Sequence, residues 1–329
     1  MNRTHEINVI LNSLNGTFPL NIPRKYDTSN MDWEFIFNLA KLNNLLLHVS
    51  NYIVENHRNE LPGNFAAIAL GTVDRGRKCQ KDMGKALLFL INEFPQDFIL
   101  HKTFRIHDRI PHDLDFLVSD FKGAMNSLNQ LLGPSQDIDY KESKAVYYTP
   151  EKIKLHLHGR VSWLGRDFID REDLLKFSRV ETFCGVKVPI PDHTQDYLIH
   201  LAHMNYEPMH FTMSELAYLF AILRNVDMEY SNRQAKEFHW GRTFKKTHAL
   251  LRQFQDYFFN PDKPIDPLDS AFLMPKTFNQ LHIISAFLEK RILLEPVLKL
   301  SKVIKVLKTG DSFSDFYSAP EEKIQGTRQ

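Results

Sequence analysis

The fold is decided by residues 98–121, which read FILHKTFRIHDRIPHDLDFLVSDF. The apolar run at 98–100 predicts a first strand, and residues 113–118 predict a second. On the second strand, Asp113 and Asp115 point to one face while Leu114 and Phe116 point to the other. Two carboxylates on one face repel each other, and a divalent cation between them relieves that repulsion. The pair is therefore a candidate Mg²⁺ site for handling a nucleoside triphosphate, and an exposed edge strand with solvated carboxylates is the alternative.

The residues that follow predict the rest of a small mixed sheet backed by a helix. Residues 121–132 have a helical pattern that Gly133 and Pro134 end. Residues 139–148 have strand character, and residues 152–158 alternate strictly between polar and apolar side chains. The alternation places Lys154, His156 and His158 on one strand face. Residues 180–190 predict a hairpin.

Helical patterns flank this sheet in the sequence. Before it, Asp32 is placed to cap a first helix, and further helices are predicted up to residue 94. After it, Asp192 precedes a helical stretch that Glu207 and Pro208 interrupt, and more helices are predicted around a Pro-rich loop at residues 260–267. The predicted fold class is α+β. It has an N-terminal helical region (1–93), a sheet-containing core (94–190), a C-terminal helical region (191–308) and a polar tail (309–329).

The composition is typical of a soluble globular protein. The 329 residues are 25% charged and 43% hydrophobic, with a formal net charge of +1, so nothing in the overall charge requires nucleic acid or a membrane as partner. No apolar run is long enough to span a bilayer. Two cysteines and no signal-like N-terminus favour the cytoplasm. Neither GxxxxGK[ST] nor GxGxxG occurs, which argues against P-loop and Rossmann folds.

A series of motifs between residues 32 and 224 points to a family. It comprises Trp33 with Ala40, a Leu-Pro pair at 61–62, the strand at 98–103, the run from Arg109 to Val118, His156-Leu157-His158-Gly159, and the helix at 197–203 that ends in His203. In this order and spacing, the chain resembles the nucleotidyltransferase-fold family usually labelled nucleotidyltransferase family proteins. The resemblance implies a nucleotidyltransferase-like mixed sheet.

The resemblance also implies a function and roles for particular residues. The chain would move a nucleoside monophosphate from a nucleoside triphosphate to an acceptor, which could be a small molecule, a protein or an RNA. Asp113 and Asp115 would hold Mg²⁺ or Mn²⁺, and Lys102 and Arg109 would contact phosphate oxygens. The acceptor and the base are not specified.

Three positions depart from the family pattern. Thr103 and His112 replace glycines, and His156 replaces the third carboxylate. We expect His156 to act as a third metal ligand or as a base, and its imidazole favours Mn²⁺ or Zn²⁺ over Mg²⁺. The same substitution is the basis of the alternative function, a catalytically inactive member of the fold that binds a nucleotide or a partner.

Four other patterns suggest further hypotheses. His107-Asp108 with His112-Asp113 resembles the HD phosphohydrolase signature, but Pro111 and the strand pattern argue against packed helices there. His156-x-His158 resembles the first strand of metal-dependent amidohydrolases, but too little chain follows for such a barrel. His200 and His203, with His210, could hold a metal or make structural hydrogen bonds. Basic side chains near the C-terminus predict a solvated helix face, or else a surface that binds a nucleic acid or a partner: Arg242, Lys245, Lys246, Lys299, Lys302, Lys305 and Lys308.

Overall fold

The computed structural model describes residues 4–14, 25–102, 113–141, 143–163, 166–206, 210–259 and 276–277. Helices come first in the chain: α1 (Thr4–Ser13), α2 (Trp33–Leu42), α3 (Leu46–Asn56) and α4 (Gly63–Glu93). The sheet region follows: β1 (Phe98–Leu100), β2 (Asp113–Val118), α5 (Phe121–Leu132), β3 (Asp137–Asp139), β4 (Lys144–Tyr148) and β5 (Lys154–His158). Next come β6 (Ser162–Trp163), β7 (Arg166–Asp167), α6 (Arg171–Lys176), β8 (Ser178–Phe183) and β9 (Val186–Pro191). The remaining elements are α7 (His193–Tyr206), β10 (His210–Phe211), α8 (Met213–Leu223), α9 (Met228–Glu237), α10 (Gly241–Phe259) and β11 (Lys276–Thr277).

The main sheet has five strands in the order β1-β2-β5-β4-β3. Strands β2 and β5 are parallel, and the other neighbouring strands are antiparallel. The predicted α+β class with a small mixed sheet is therefore confirmed. The division into four regions stays a prediction, and the predicted loop at 260–267, the interruption at 207–208, the last helices and the polar tail lie outside the described residues.

One face of the sheet is apolar and packs against helices. Its core joins β2 residues Leu114, Phe116 and Val118 to side chains of α4, α5 and the β8–β9 hairpin. Tyr147 of β4 fixes the position of α5, because its hydroxyl donates to the carbonyl of Met125 at 3.3 Å and to Asn129 Oδ1 at 3.1 Å. The opposite face of β2 carries the two aspartates near its start.

A second core lies on the other side of the sheet. It contains Leu117 of β2 and Val161, together with apolar side chains of α1, α2, α7, α8 and α10. The polar face of β2 and β5 is therefore covered by helices as well. Within the described residues, no helix combines the length and the apolar character that crossing a membrane requires.

Local signals in the sequence set several element boundaries as predicted. Asp32 accepts a hydrogen bond from the Phe35 amide at 2.9 Å and begins α2. Helix α5 ends at Gly133, whose φ of 84° suits glycine. The predicted strand over 139–148 is instead two strands, β3 and β4, joined by a turn in which Ser143 has φ 49°.

Alanine substitutions at two glycines of α4 are expected to have opposite effects on the stability of the fold. A Cβ atom on Gly84 would lie 2.9 Å from the carbonyl oxygen of Cys184 in the β8–β9 turn, whereas no described atom beyond its own helix lies within 4 Å of a Cβ on the exposed Gly71. We expect Gly84→Ala to destabilise the fold by about 1–3 kcal/mol and Gly71→Ala to stabilise it by about 0.5–1 kcal/mol. Urea unfolding of both variants checks this, and equal effects would contradict the close packing of α4 on the hairpin.

Candidate metal centre

Asp113 and Asp115 lie on an interior strand, because β2 is hydrogen-bonded to β1 on one side and to β5 on the other. Asp115 is 9% exposed, and Asp113 is half-buried. The alternative of solvated carboxylates on an exposed edge strand is therefore wrong. The side chains instead form a compact polar cluster within the fold.

His156 joins the two aspartates because β5 runs parallel to β2 in a register that pairs it with Asp115. Its Nδ1 lies 3.3 Å from Asp115 Oδ1 and 3.5 Å from Asp113 Oδ2. One ligand atom from each of the three residues falls within 4.8 Å of the others. The structure thus brings together the three predicted site residues, and His156 is buried.

Two further histidines complete the cluster. His158, two positions along β5, places Nε2 at 2.8 Å from Asp115 Oδ1. His101 follows β1, and its amide donates to the carbonyl of Asp115 at 3.0 Å. The rings of His101 and His158 meet edge to face with centroids 4.8 Å apart. We did not predict either residue as part of the site. The β5 alternation already placed His158 on the face of His156, but the role of His101 depends on strand pairing that no local pattern contains.

The electrostatics of the cluster favour a charged Asp115 carboxylate beside neutral His101 and His158 imidazoles. Burial alone raises the pKa of Asp115, but hydrogen bonds from His156 and His158 outweigh it and hold that pKa well below its usual range. Burial lowers the pKa of His158 to about 4, although Asp115 opposes the shift. Burial, reinforced by His158, also holds the pKa of His101 well below its usual range. An ionised carboxylate with neutral imidazoles is the protonation state that ligates a metal ion.

Lys102 is the positive charge nearest to this cluster in the sequence, and it stands just after His101. Its charge contributes to the low pKa of Asp115. It also lines a small pocket with Trp163, His203 and Tyr206, next to α7. Arg109, the other predicted phosphate-binding residue, lies outside the described residues, as do His107, Asp108 and His112.

The remaining histidine hypotheses have different outcomes. His200 of α7 faces its own helix, with Nε2 3.3 Å from Asp196 Oδ1, and Asp196 also accepts a hydrogen bond from the Tyr218 hydroxyl. This contact fits the structural alternative for His200, and the side chain of His210 lies outside the described residues. The His156-x-His158 pair sits in an open five-stranded sheet rather than a barrel, so the amidohydrolase hypothesis is wrong.

Lys102 is expected to serve ligand binding more than folding. Its φ of 61° costs a residue with a side chain about 1–2 kcal/mol, and the entropy cost of glycine largely offsets the gain from relieving it. We expect Lys102→Gly to stay within about 1 kcal/mol of wild-type stability while weakening triphosphate binding about tenfold, since one phosphate contact is lost. Lys152→Gly is the matched control, because Lys152 is exposed and has φ 65°. Calorimetric titration with a triphosphate and Mn²⁺ measures the affinity of both variants. Equal affinities would contradict a role for Lys102 in phosphate binding.

Comparisons with known proteins identify no relative for this arrangement. No family model, no curated protein and no solved structure matches the chain.

Proposed function

We propose that the protein is a metal-dependent nucleotidyltransferase that moves a nucleoside monophosphate from a nucleoside triphosphate to an acceptor hydroxyl. The observation that carries the proposal is the meeting of Asp113, Asp115 and His156 on two adjacent parallel strands, with their ligand atoms within 4.8 Å of one another. The donor set suits a divalent cation, since carboxylate oxygens bind Mg²⁺ or Mn²⁺ and the imidazole shifts the preference toward Mn²⁺.

The ion and the protein would have separate tasks. When bound, a divalent cation neutralises charge on the triphosphate and on the leaving pyrophosphate. Asp113 and Asp115 would hold that ion, with His156 Nδ1 as the third ligand, and His158 Nε2 lies 2.8 Å from Asp115 Oδ1 beside them. Lys102, which directly follows His101 in the chain, would donate to phosphate oxygens.

The bonds exchanged in the reaction follow from its class. The acceptor hydroxyl oxygen forms a bond to the α-phosphorus, while the bond from that phosphorus to the oxygen bridging the β-phosphate breaks. Pyrophosphate leaves with the bonding electrons, and the hydroxyl proton passes to a base. Asp113 is half-buried, so a triphosphate can reach an ion held by its carboxylate from outside the fold.

A specific observation also favours a second candidate, nucleotide binding without turnover. An imidazole occupies the third carboxylate position, and two histidines make hydrogen bonds to Asp115. The site therefore carries one negative charge fewer than three carboxylates would give. Such a protein would bind a triphosphate with a metal ion and release it unchanged.

The test uses nucleoside triphosphates labelled at either the α- or the γ-phosphate, with Mg²⁺ or Mn²⁺ and cell extract as the source of acceptors. Nucleotidyl transfer incorporates the α-label and releases pyrophosphate, whereas phosphoryl transfer would incorporate the γ-label and contradict the proposal. If neither label is incorporated but triphosphate with Mn²⁺ raises the melting temperature, the second candidate is supported. The absence of both transfer and binding would reject both candidates.

A further inference from the structure

We propose that His101, Asp115 and His158 form a second cation site, which takes a first-row transition-metal ion such as Zn²⁺ or Mn²⁺. Asp115 would be shared with the site of Asp113 and His156, so that one carboxylate bridges two ions. This inference goes beyond the proposed nucleotidyl transfer, because binding of two ions can be measured whether or not the protein turns over a nucleotide.

Three neighbouring strands bring the ligands together. His101 follows β1, Asp115 lies on β2, and His158 lies on β5, which are adjacent in the sheet. Backbone pairing fixes the first two, since the His101 amide donates to the Asp115 carbonyl at 3.0 Å. Strand pairing holds the backbone at these positions and burial restricts the side chains, so the ligands are close together before an ion binds.

The distances suit a metal ion after shifts of about 1 Å in the side chains. One ligand atom from each residue lies within 4.8 Å of the others, and His158 Nε2 is 2.8 Å from Asp115 Oδ1. Metal–ligand bonds of about 2.1 Å place the donors of a tetrahedral ion about 3.5 Å apart. The donor atoms that lie up to 4.8 Å apart would have to approach each other by about 1.3 Å, whereas His158 Nε2 and Asp115 Oδ1, now 2.8 Å apart, would have to separate by about 0.7 Å.

The charge balance of the interior also favours a cation here. All three residues are buried, with exposures of 1% for His101, 9% for Asp115 and 6% for His158. A buried carboxylate is costly unless a positive charge or several donors compensate it. A cation bound between the three residues would supply that positive charge.

The donor set indicates which ion would bind. Two imidazoles and one carboxylate suit Zn²⁺, Mn²⁺ and neighbouring transition metals, whereas Mg²⁺ prefers oxygen ligands and keeps its waters. The first site has two carboxylates and one imidazole. The two sites therefore differ in the metal ion that they prefer. When Mg²⁺ is the one divalent cation supplied, we expect it to fill only the first site.

The experiment is a metal count on the full chain after equilibrium dialysis against Zn²⁺ and, separately, against Mn²⁺. Wild type is expected to bind two ions of either kind. His158→Gln and the double variant His101→Gln with His158→Gln are expected to bind one, and Asp113→Asn is also expected to bind one. The exposed His239, which has φ 60°, provides the control His239→Asn, which should bind two, since asparagine tolerates positive φ.

Each outcome bears on the inference. One ion on wild type, or two ions retained by His158→Gln, would show that these histidines only hold the Asp115 carboxylate in place and would overturn the proposal. The wild-type count stands even if the double variant fails to fold. Two ions on wild type, one on His158→Gln and no label transfer would reject nucleotidyl transfer while supporting the second site, so the two proposals can fail separately.

Discussion

Replacing Asp113 and Asp115 together by asparagine is expected to abolish metal-dependent nucleotidyl transfer, with a loss of about 10³-fold or more. The two side chains supply both carboxylates of the first site, and an amide oxygen binds a divalent cation far less strongly than a carboxylate does. With both charges gone, His156 is the one ligand of that site that remains. Transfer of the α-label with Mn²⁺ measures the loss.

The same variant should fold. Asparagine keeps an acceptor oxygen for the hydrogen bonds from His156 and His158, and the burial cost of a carboxylate that it removes largely offsets the weakening of those bonds. We therefore expect its metal-free melting temperature to stay within about 3 °C of wild type, which corresponds to roughly 1 kcal/mol. Mn²⁺ should raise the melting temperature of wild type clearly more than that of the variant.

The chain provides its own control for this experiment. A second Asp-x-Asp occurs at Asp137 and Asp139 on β3, where both side chains are exposed at the edge of the sheet. Asparagine at both of these positions makes the same chemical change outside the candidate centre, and activity should be unchanged. Equal losses in the two double variants, or full activity in the first, would remove Asp113 and Asp115 from the proposed mechanism.

These two Asp-x-Asp pairs show what the sequence could and could not predict about the site. Both pairs sit in strands, so the tripeptide does not distinguish them. The run Phe116-Leu117-Val118 after the first pair indicates a strand buried on both faces, whereas exposed residues follow the second. Strand length and the apolar residues beside the motif therefore distinguish the two pairs, which the tripeptide itself does not.

The local elements were predictable for a different reason. Helix starts such as Asp32 and the end of α5 at Gly133 depend on side chains within a few residues of each other. His101 could not be assigned in the same way, because its place beside Asp115 and His158 depends on two strand pairings between residues far apart in the chain. Its neighbours in the sequence are apolar or basic and give no indication of a metal ligand.

Phe116→Ala is expected to have the largest effect on stability, costing about 3–5 kcal/mol. Phe116 is fully buried, and its ring meets the edges of Phe94 at 5.8 Å and Phe98 at 5.9 Å between centroids. Truncation leaves a cavity between β2 and the end of α4, which a residue held by strand pairing cannot fill. A loss of this size is a large part of the 5–15 kcal/mol that stabilises a typical domain.

The matched control for this prediction is Phe177→Ala, because Phe177 is 40% exposed and its removal should cost less than about 1 kcal/mol. Urea unfolding measures both variants, and similar losses would contradict the placement of Phe116 in the core.

Comparison with Asp115→Asn, one position away on β2, then tests the alternation of the strand directly. If Phe116 supports the fold and Asp115 supports the metal centre, the first change lowers stability while leaving metal affinity of the folded protein near wild type. The second change should do the reverse, because successive side chains of one strand point to opposite faces of the sheet.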